Sequence, residues 1–186
     1  MHVHLVPDSL TYDGTQLRPH WAFRRFRLQG DSIVTFRGPC RVELEHMVDL
    51  QDVLDEAPIF SPDMLHFIVE HFDTDLQRGI LRQRLLIALI REILAERGGP
   101  INRRGDDLFV GGLKLSVSIA TVSPMSTLIH TGLNVRTEGV PVPAVGLTQL
   151  GWADVEIQEL AARIARNYAE EMAGVHLARC KVRGVG

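Results

Sequence analysis

Two adjacent glycines, Gly111 and Gly112, separate two alternating runs of apolar and polar residues, "DDLFV" and "LKLSVSIAT". A two-residue turn of this kind needs positive φ at both positions, so the pair predicts a hairpin whose register is already set. Val110 then faces Leu113, Phe109 faces Lys114, Asp107 faces Ser116 and Gly105 faces Ser118. Period two sorts the side chains. Leu108, Val110, Leu113, Leu115, Val117 and Ile119 take one face. Asp107, Phe109, Lys114, Ser116, Ser118 and Ala120 take the other. Diagonal neighbours on a face lie about 7–8 Å apart, which brings the Asp107 carboxylate within reach of the Lys114 ammonium.

The same pattern reading extends along the chain. "DSIVTF" and "CRVEL" are expected as two strands across Arg37-Gly38-Pro39, and a short helix follows Pro19. "MVDLQDVLDEAPIF" reads as loop with a helical turn. In "SPDMLHFIVEHF", Ser61 as cap, Pro62 in the first helical position and Asp63 at the positive end of the dipole predict a helix. The longest helix is expected over Asp75 to Arg97, with Leu76, Ile80, Ile87, Ile90 and Leu94 as its buried stripe and Gly98-Gly99 as its stop. "STLIHTGLNV" is a strand, "VPVPAVGLTQLG" a loop, and Val155 to Met172 a helix with Leu160, Ile164, Tyr168 and Met172 at spacing four. "HLARCKVRGV" closes the reading as a strand. Clustered strands separated by long helices predict an α+β fold in a single domain, residues 1–186, with one mostly antiparallel or mixed central sheet flanked by helices.

Charge and cysteine usage exclude several function classes. A formal charge of −3 gives no global basic field, so nucleic acid is not an expected partner. "MHVHLVPDSL" has neither the basic start nor the apolar run of a secretory signal. "ILRQRLLIALIREIL" is interrupted by arginines and too short to span a bilayer. Cys40 and Cys180 stand 140 positions apart with no CxxC, and reduced thiols in a cytoplasmic protein are expected. "MHVH" is a short metal-binding pattern at a terminus. "HFIVEH" places His66, Glu70 and His71 without the spacing of HExxH or HxxEH, so they read as structural. "LRPHWAFRRFR" reads as an amphipathic helix, and Arg179, Lys181 and Arg183 as a charged strand edge.

Lysine usage marks one position. The chain has 18 arginines and two lysines, Lys114 and Lys181. With nearly every routine positive position filled by arginine, a remaining lysine suits a place that wants a compact ammonium rather than a planar fork. Ser116 and Ser118 beside Lys114 leave room for a ligand, and Arg103 and Arg104 add donors suited to carboxylate or phosphate. In "LIHTGLNV", His130, Gly132 and Asn134 share one strand face. The expected substrate-binding set is therefore Arg104, Asp107, Ser116, Ser118, His130 and Asn134 around Lys114.

From "YDGTQLRPHW" through "GDSIVTF", "DMLHFIVEHFD", "LRQRLLIALI", "KLSVSIAT" and "LARCKVR", the chain resembles an archaeal and bacterial family defined as a domain of unknown function. "RGDDLFVGGLKLSVSIA" and "LIHTGLNV" are, more distantly, similar to the biotin/lipoate protein ligase and octanoyltransferase pattern. That likeness implies a biotin/lipoate-ligase-like fold and an acyl or adenylyl ligase or acyltransferase acting on a small carboxylate. It implies Lys114 as the essential lysine, Asp106 and Asp107 as positions for Mg²⁺, and ATP as co-substrate. The chain departs from the pattern in having no Gly-Gly-Gly ahead of the lysine. Only Cys180 follows Lys114, 66 positions on, so a thioester intermediate is not expected. A non-catalytic small-molecule or nucleotide-binding module on the same scaffold is the alternative, and a homodimer is compatible with either.

Overall fold

Residues 1–186 of the computed structural model sort into a layer of strands and a layer of helices. In chain order they are β1 (His2–Leu5), α1 (Trp21–Phe26), β2 (Ser32–Val42), α2 (Leu50–Leu54), β3 (Ile59–His71), α3 (Leu76–Ala95), β4 (Ile101–Arg104), β5 (Asp107–Val110), β6 (Leu113–Lys114), β7 (Ser116–Val122), β8 (Thr127–Arg136) and α4 (Asp154–Cys180). The main sheet has the order β1-β2-β3-β8-β7, and a small sheet has the order β4-β5-β6. β1 pairs parallel with β2 and every other pair is antiparallel. This is the mixed α+β sheet with flanking helices that the strand and helix patterns predict. No helix is long and apolar enough to cross a membrane.

The glycine turn forms as expected. Gly111 and Gly112 have φ of 57° and 86°, and Val110 pairs with Leu113 and Phe109 with Lys114. The hairpin does not continue to Thr121, however. Leu115 donates its N–H to Leu108 O at 2.8 Å while its carbonyl accepts from Asn134 N at 2.9 Å, so this residue belongs to both sheets. Leu108 N–H finds the Ser116 hydroxyl at 2.8 Å instead of a backbone carbonyl. That side-chain bond lets the ladder end without an orphaned donor. From Ser116 the chain runs in the main sheet against β8.

The largest correction concerns "SPDMLHFIVEHF", which is strand β3 and not a helix. Ser61, Pro62 and Asp63 imitate a helix start, but the run behind them is covered on both sides. Leu65, Phe67 and Val69 join the core beneath α3 and α4. Met64 and Ile68 join a second core with Tyr12, Trp21, Val34 and Phe36 of the N-terminal third. A strand buried on both faces loses its polar alternation and reads as a continuous apolar run. Pro62 is tolerated because pairing with β8 shifts register between Asp63 and Met64. Opposite it, β2 is one strand rather than two, with its own irregularity between Gly38 and Cys40.

The helices hold with adjustments, the first being that the longest is α4, with 27 residues, and not α3, with 20. Asp75 caps α3 by accepting from Arg78 N at 3.0 Å. Ile87, Ile90 and Leu94 are buried as expected, whereas Leu76 and Ile80 are exposed. The helix instead turns Gln83 to the sheet, where its amide reaches Asp106 Oδ2 at 2.9 Å and Ser118 Oγ at 3.0 Å. α4 buries Leu160, Ile164 and Tyr168 and runs on to Cys180, so the expected last strand is absent. Residues 173–180 are exposed, and extending an existing helix adds one backbone bond per residue without a new nucleus. Arg179, Lys181 and Arg183 accordingly share no strand face. Both cysteines are free.

Beneath the N-terminal third lies a buried imidazole pair. His66 Nδ1 and His130 Nε2 are 3.1 Å apart, and His66 Nε2 is 3.1 Å from Gly38 O. Since the carbonyl can only accept, His66 carries its proton on Nε2 and accepts from His130 Nε2–H. Tyr12 stacks on His130 with centroids 3.6 Å apart. Burial pushes His66 down to about 4, and burial together with His66 holds His130 well below its ordinary value.

An unfolded imidazole titrates near 6.5, so the unfolded chain takes up protons first and stability falls as pH drops from about 6.5 to about 4. The urea midpoint should decline across that window, and the His66 and His130 ring signals in NMR should stay neutral down to about pH 5; ring signals titrating near 6.5 would contradict the pairing. Separately, a Cβ on Gly38 would lie 2.3 Å from the Leu10 carbonyl oxygen, whereas one on Gly174 meets nothing. Gly38→Ala should cost about 1–3 kcal/mol by overpacking. Gly174→Ala, inside a helix, should stabilise by about 0.5–1 kcal/mol.

Candidate functional site

Lys114 sits where the small sheet hands the chain to the main one, and its backbone is fixed on three sides. Its N–H donates to Pro143 O at 3.0 Å and its carbonyl accepts from Val145 N at 3.0 Å. The same carbonyl accepts from Asn134 Nδ2 at 3.2 Å. Asn134 Oδ1 in turn accepts from Ser61 Oγ at 3.1 Å. The buried Asn134 amide therefore ties β8 to β3 on one side and to the lysine on the other.

The side chain of Lys114 points to Asp107. Nζ lies 2.9 Å from Asp107 Oδ2, with the lysine 33% and the aspartate 25% exposed. Burial pushes the Asp107 carboxyl up, Lys114 pulls it back down, and neighbouring Asp106 adds to the rise. The Asp52 carboxyl of α2 is also raised, by burial and by Asp49, and the Lys114 charge opposes that rise. The ammonium thus pairs directly with Asp107 and acts on Asp52 only through its charge.

Antiparallel register places Arg104 opposite Asp107, so Arg104, Asp107, Phe109 and Lys114 share one face of the small sheet. The Arg104 guanidinium lies 5.3 Å from the centroid of the Phe109 ring. Lys114, Asp107 and Arg104 are brought together, and Asn134 joins them through the Lys114 carbonyl.

Ser116, Ser118 and His130 do not converge on this group. The Ser116 hydroxyl is spent on Leu108 N. Ser118 Oγ contacts Gln83 of α3 and Thr131 Oγ1 at 2.9 Å and donates to His130 O at 3.0 Å, so it lies on the helix-covered face. The His130 ring is on the opposite face, under Tyr12. One common face for all of them fails because the chain changes sheets at Leu115, so hairpin parity stops there.

Asp106 turns away from Asp107. It accepts from Gln83 and lies 3.5 Å from Arg84 Nη1, while Asp107 is taken by Lys114. Each carboxylate has its own cationic or amide partner, and no three His, Cys, Asp or Glu side chains converge anywhere. Asp106 and Asp107 thus belong to no group of three or more protein ligands, and neither do the histidines of "MHVH". Burial raises the Cys40 thiol to about 12, which keeps it protonated and unreactive.

The sequence reading missed Tyr12 and Ser61 and gave His66 the wrong element. The signal for His66 lies in the period-two series Met64, His66, Ile68, Glu70, which the helix-start residues mask, while Ser61 stands outside that series, before the register shift at Asp63 and Met64. Tyr12 carries no local signal, since it reaches the sheet through a bridge to Cys40.

The family model described as Domain of unknown function (DUF366) matches residues 1–183. Uncharacterized protein MJ0805 of Methanocaldococcus jannaschii is 42% identical over 178 residues, which is 92% of this chain and 80% of that protein. Among solved structures, a protein of unknown function from Pyrococcus horikoshi superposes with a TM-score of 0.95 at 44% identity, covering 100% of this chain and 99% of its own. The T. acidophilum protein Ta0514, with bound lipoic acid, gives 0.60 at 14% identity over 91% of this chain and 86% of that one. A lipoate-protein ligase A bound with ATP gives 0.55 at 16% identity, with the same coverage of 91% and 86%. At such identities the likeness is one of fold, and the fold is that of the lipoate and biotin protein ligases. With the model matched over nearly its whole length and a relative this similar, the chain belongs to the DUF366 family.

Proposed function

We propose that this protein binds a small carboxylate-containing molecule on the Lys114 face of the small sheet, and that acyl or adenylyl transfer is the chemistry the site serves. The observation that carries this reading is the Lys114–Asp107 pair itself, two-thirds withdrawn from water and flanked by Arg104. An incoming carboxylate would compete with Asp107 for the ammonium, and Arg104 offers it a second, forked donor set. In transfer chemistry Lys114 would act as an electrostatic clamp on charge developing at the acyl oxygen. The solved neighbours with bound lipoic acid and with ATP support a carboxylate, or its acyl nucleotide, as the ligand class. A nucleotide would have to be held by Lys114 and Arg104. No step is assigned to Mg²⁺, since Asp106 and Asp107 are each engaged by separate partners.

One observation favours a non-catalytic binding module instead. The inner face of the main sheet is closed by Tyr12 on His130 and by Met64 against Gly132, where an added Cβ would lie 2.8 Å from Met64 Cε. A binding module needs only the small-sheet face, whereas transfer needs room for two reactants.

Titration with lipoate, biotin, octanoate and ATP, followed by melting temperature, tests the reading. A ligand at a hundred times its Kd should stabilise by about 2.7 kcal/mol, a rise of roughly 5–10 °C for a chain of this size. Lys114→Ala should cost about 1 kcal/mol through the stranded Asp107 and abolish the ligand-dependent rise. The absence of any Lys114-dependent shift would remove the carboxylate reading. Binding without turnover of an acyl adenylate would select the non-catalytic form.

A further inference from the structure

A cleft lies at the far end of the main sheet. α3 supplies one wall and the last turns of α4 the other, with Asp31 and His71 at the base, and its volume is about 520 Å³. That is the range of small-molecule sites. Arg82 of α3 hydrogen-bonds Thr127 at the start of β8, and Asn134, near the other end of that strand, contacts Lys114. Seven residues of extended chain separate them by about 23 Å, so the cleft and the Lys114 face are different sites.

The cleft has a prepared cationic lining. Arg78, Arg82 and Arg179 line it with the Asp31 carboxylate, and Arg78 is paired with Asp73 and Asp75 at 3.6 Å each. Both Asp31 oxygens are already engaged, Oδ1 by Phe72 N and Oδ2 by His71 Nδ1, each at 2.9 Å. His71 Nε2 is engaged by the buried Tyr168 hydroxyl at 2.9 Å. The base is therefore a fixed chain from Asp31 to α4 with no spare donor or acceptor on the histidine ring.

Arg82 is the central donor. Its side chain is 18% exposed, and its Nη1 is held from behind by Asp73 at 2.6 Å and by Thr127 at 3.4 Å. Nε and Nη2 remain free to bond a ligand. A guanidinium immobilised in this way loses little further entropy when it meets an anion. Arg179 approaches from α4 and makes no ion pair or hydrogen bond within the chain. Between these charges both walls are apolar, with Leu81 and Leu85 on α3 and Met172 and Val175 on α4.

We propose that this cleft binds an amphiphilic anion, with a carboxylate or phosphate head between Arg82 and Arg179 and a short aliphatic body against Leu81, Leu85, Met172 and Val175. Calorimetric titration of the full chain with hexyl phosphate, hexanoate, inorganic phosphate and hexanol tests the assignment. The same titrations in Lys114→Ala keep it independent of the carboxylate site proposed above. Saturable binding of hexyl phosphate or hexanoate should persist in Lys114→Ala and weaken at least tenfold in Arg179→Ala and in Val175→Asp, two substitutions on the exposed end of α4. The tighter of the two amphiphiles identifies the head group. No saturable binding by either overturns the proposal, as does unchanged binding in Arg179→Ala. Equal binding of hexanol would remove the anion from it, and equal binding of inorganic phosphate the aliphatic body.

Discussion

Strand β3 is covered on both faces, and that constraint organises everything around it. A buried polar group costs about 1–3 kcal/mol when left without a partner, so each polar side chain of β3 must be met by a specific neighbour. Ser61 meets Asn134, His66 meets His130 and Gly38, and His71 meets Asp31 and Tyr168. Glu70 accepts from His20 N and from Ser126 Oγ. These partners come from the N-terminal third, from β8 and from α4, so one strand fixes three other parts of the chain. A one-residue slip of β3 would turn His66 and Glu70 into the apolar layer beneath the helices. Register is therefore determined many times over.

The second organising event is the change of sheets at Leu115. Residues before it pair with β5 and residues after it pair with β8, and the Ser116 hydroxyl closes the gap. This handover leaves Lys114 as the last residue of the small sheet, with its carbonyl facing the main one. Asn134 can reach that carbonyl only because β8 extends past β7 at this end. The position of the lysine thus depends on where the ladder breaks, not on the hairpin alone.

Local chemistry made much of this legible in the residues. Gly111-Gly112 demanded its turn, and the turn carried the Lys114–Asp107 pair with it. The spacing of Leu160, Ile164 and Tyr168 located α4, and Asp75 located the start of α3. What escaped was set by tertiary contact. Pro62 and Asp63 make a good helix start by local rules, and nothing within twelve residues reveals that β2 and β8 will flank them. The face shared by Ser116 and Ser118 was misassigned for a related reason: alternation holds only while a strand stays in one sheet. Tyr12 reaches His130 from over a hundred positions away, through a segment with almost no regular structure of its own.

The closure of the inner sheet face bears most directly on how this member of a ligase-like fold works. Tyr12 stacks flat on His130, the His66–His130 bond occupies the space between β3 and β8, and Met64 fills the hollow at Gly132. Opening that face to a ligand would expose two neutral imidazoles and break a hydrogen-bonded pair, which opposes entry from that side. The small-sheet face has no such cover. Its charged groups are partly solvated, and its lysine is held by backbone contacts that persist whether or not Asp107 keeps the ammonium. A ligand exchanging with Asp107 there would meet a preformed cation without disturbing the buried pair. The geometry consequently favours approach across the small sheet, which packs its apolar face on the core beneath α3 and leaves the His66–His130 layer undisturbed.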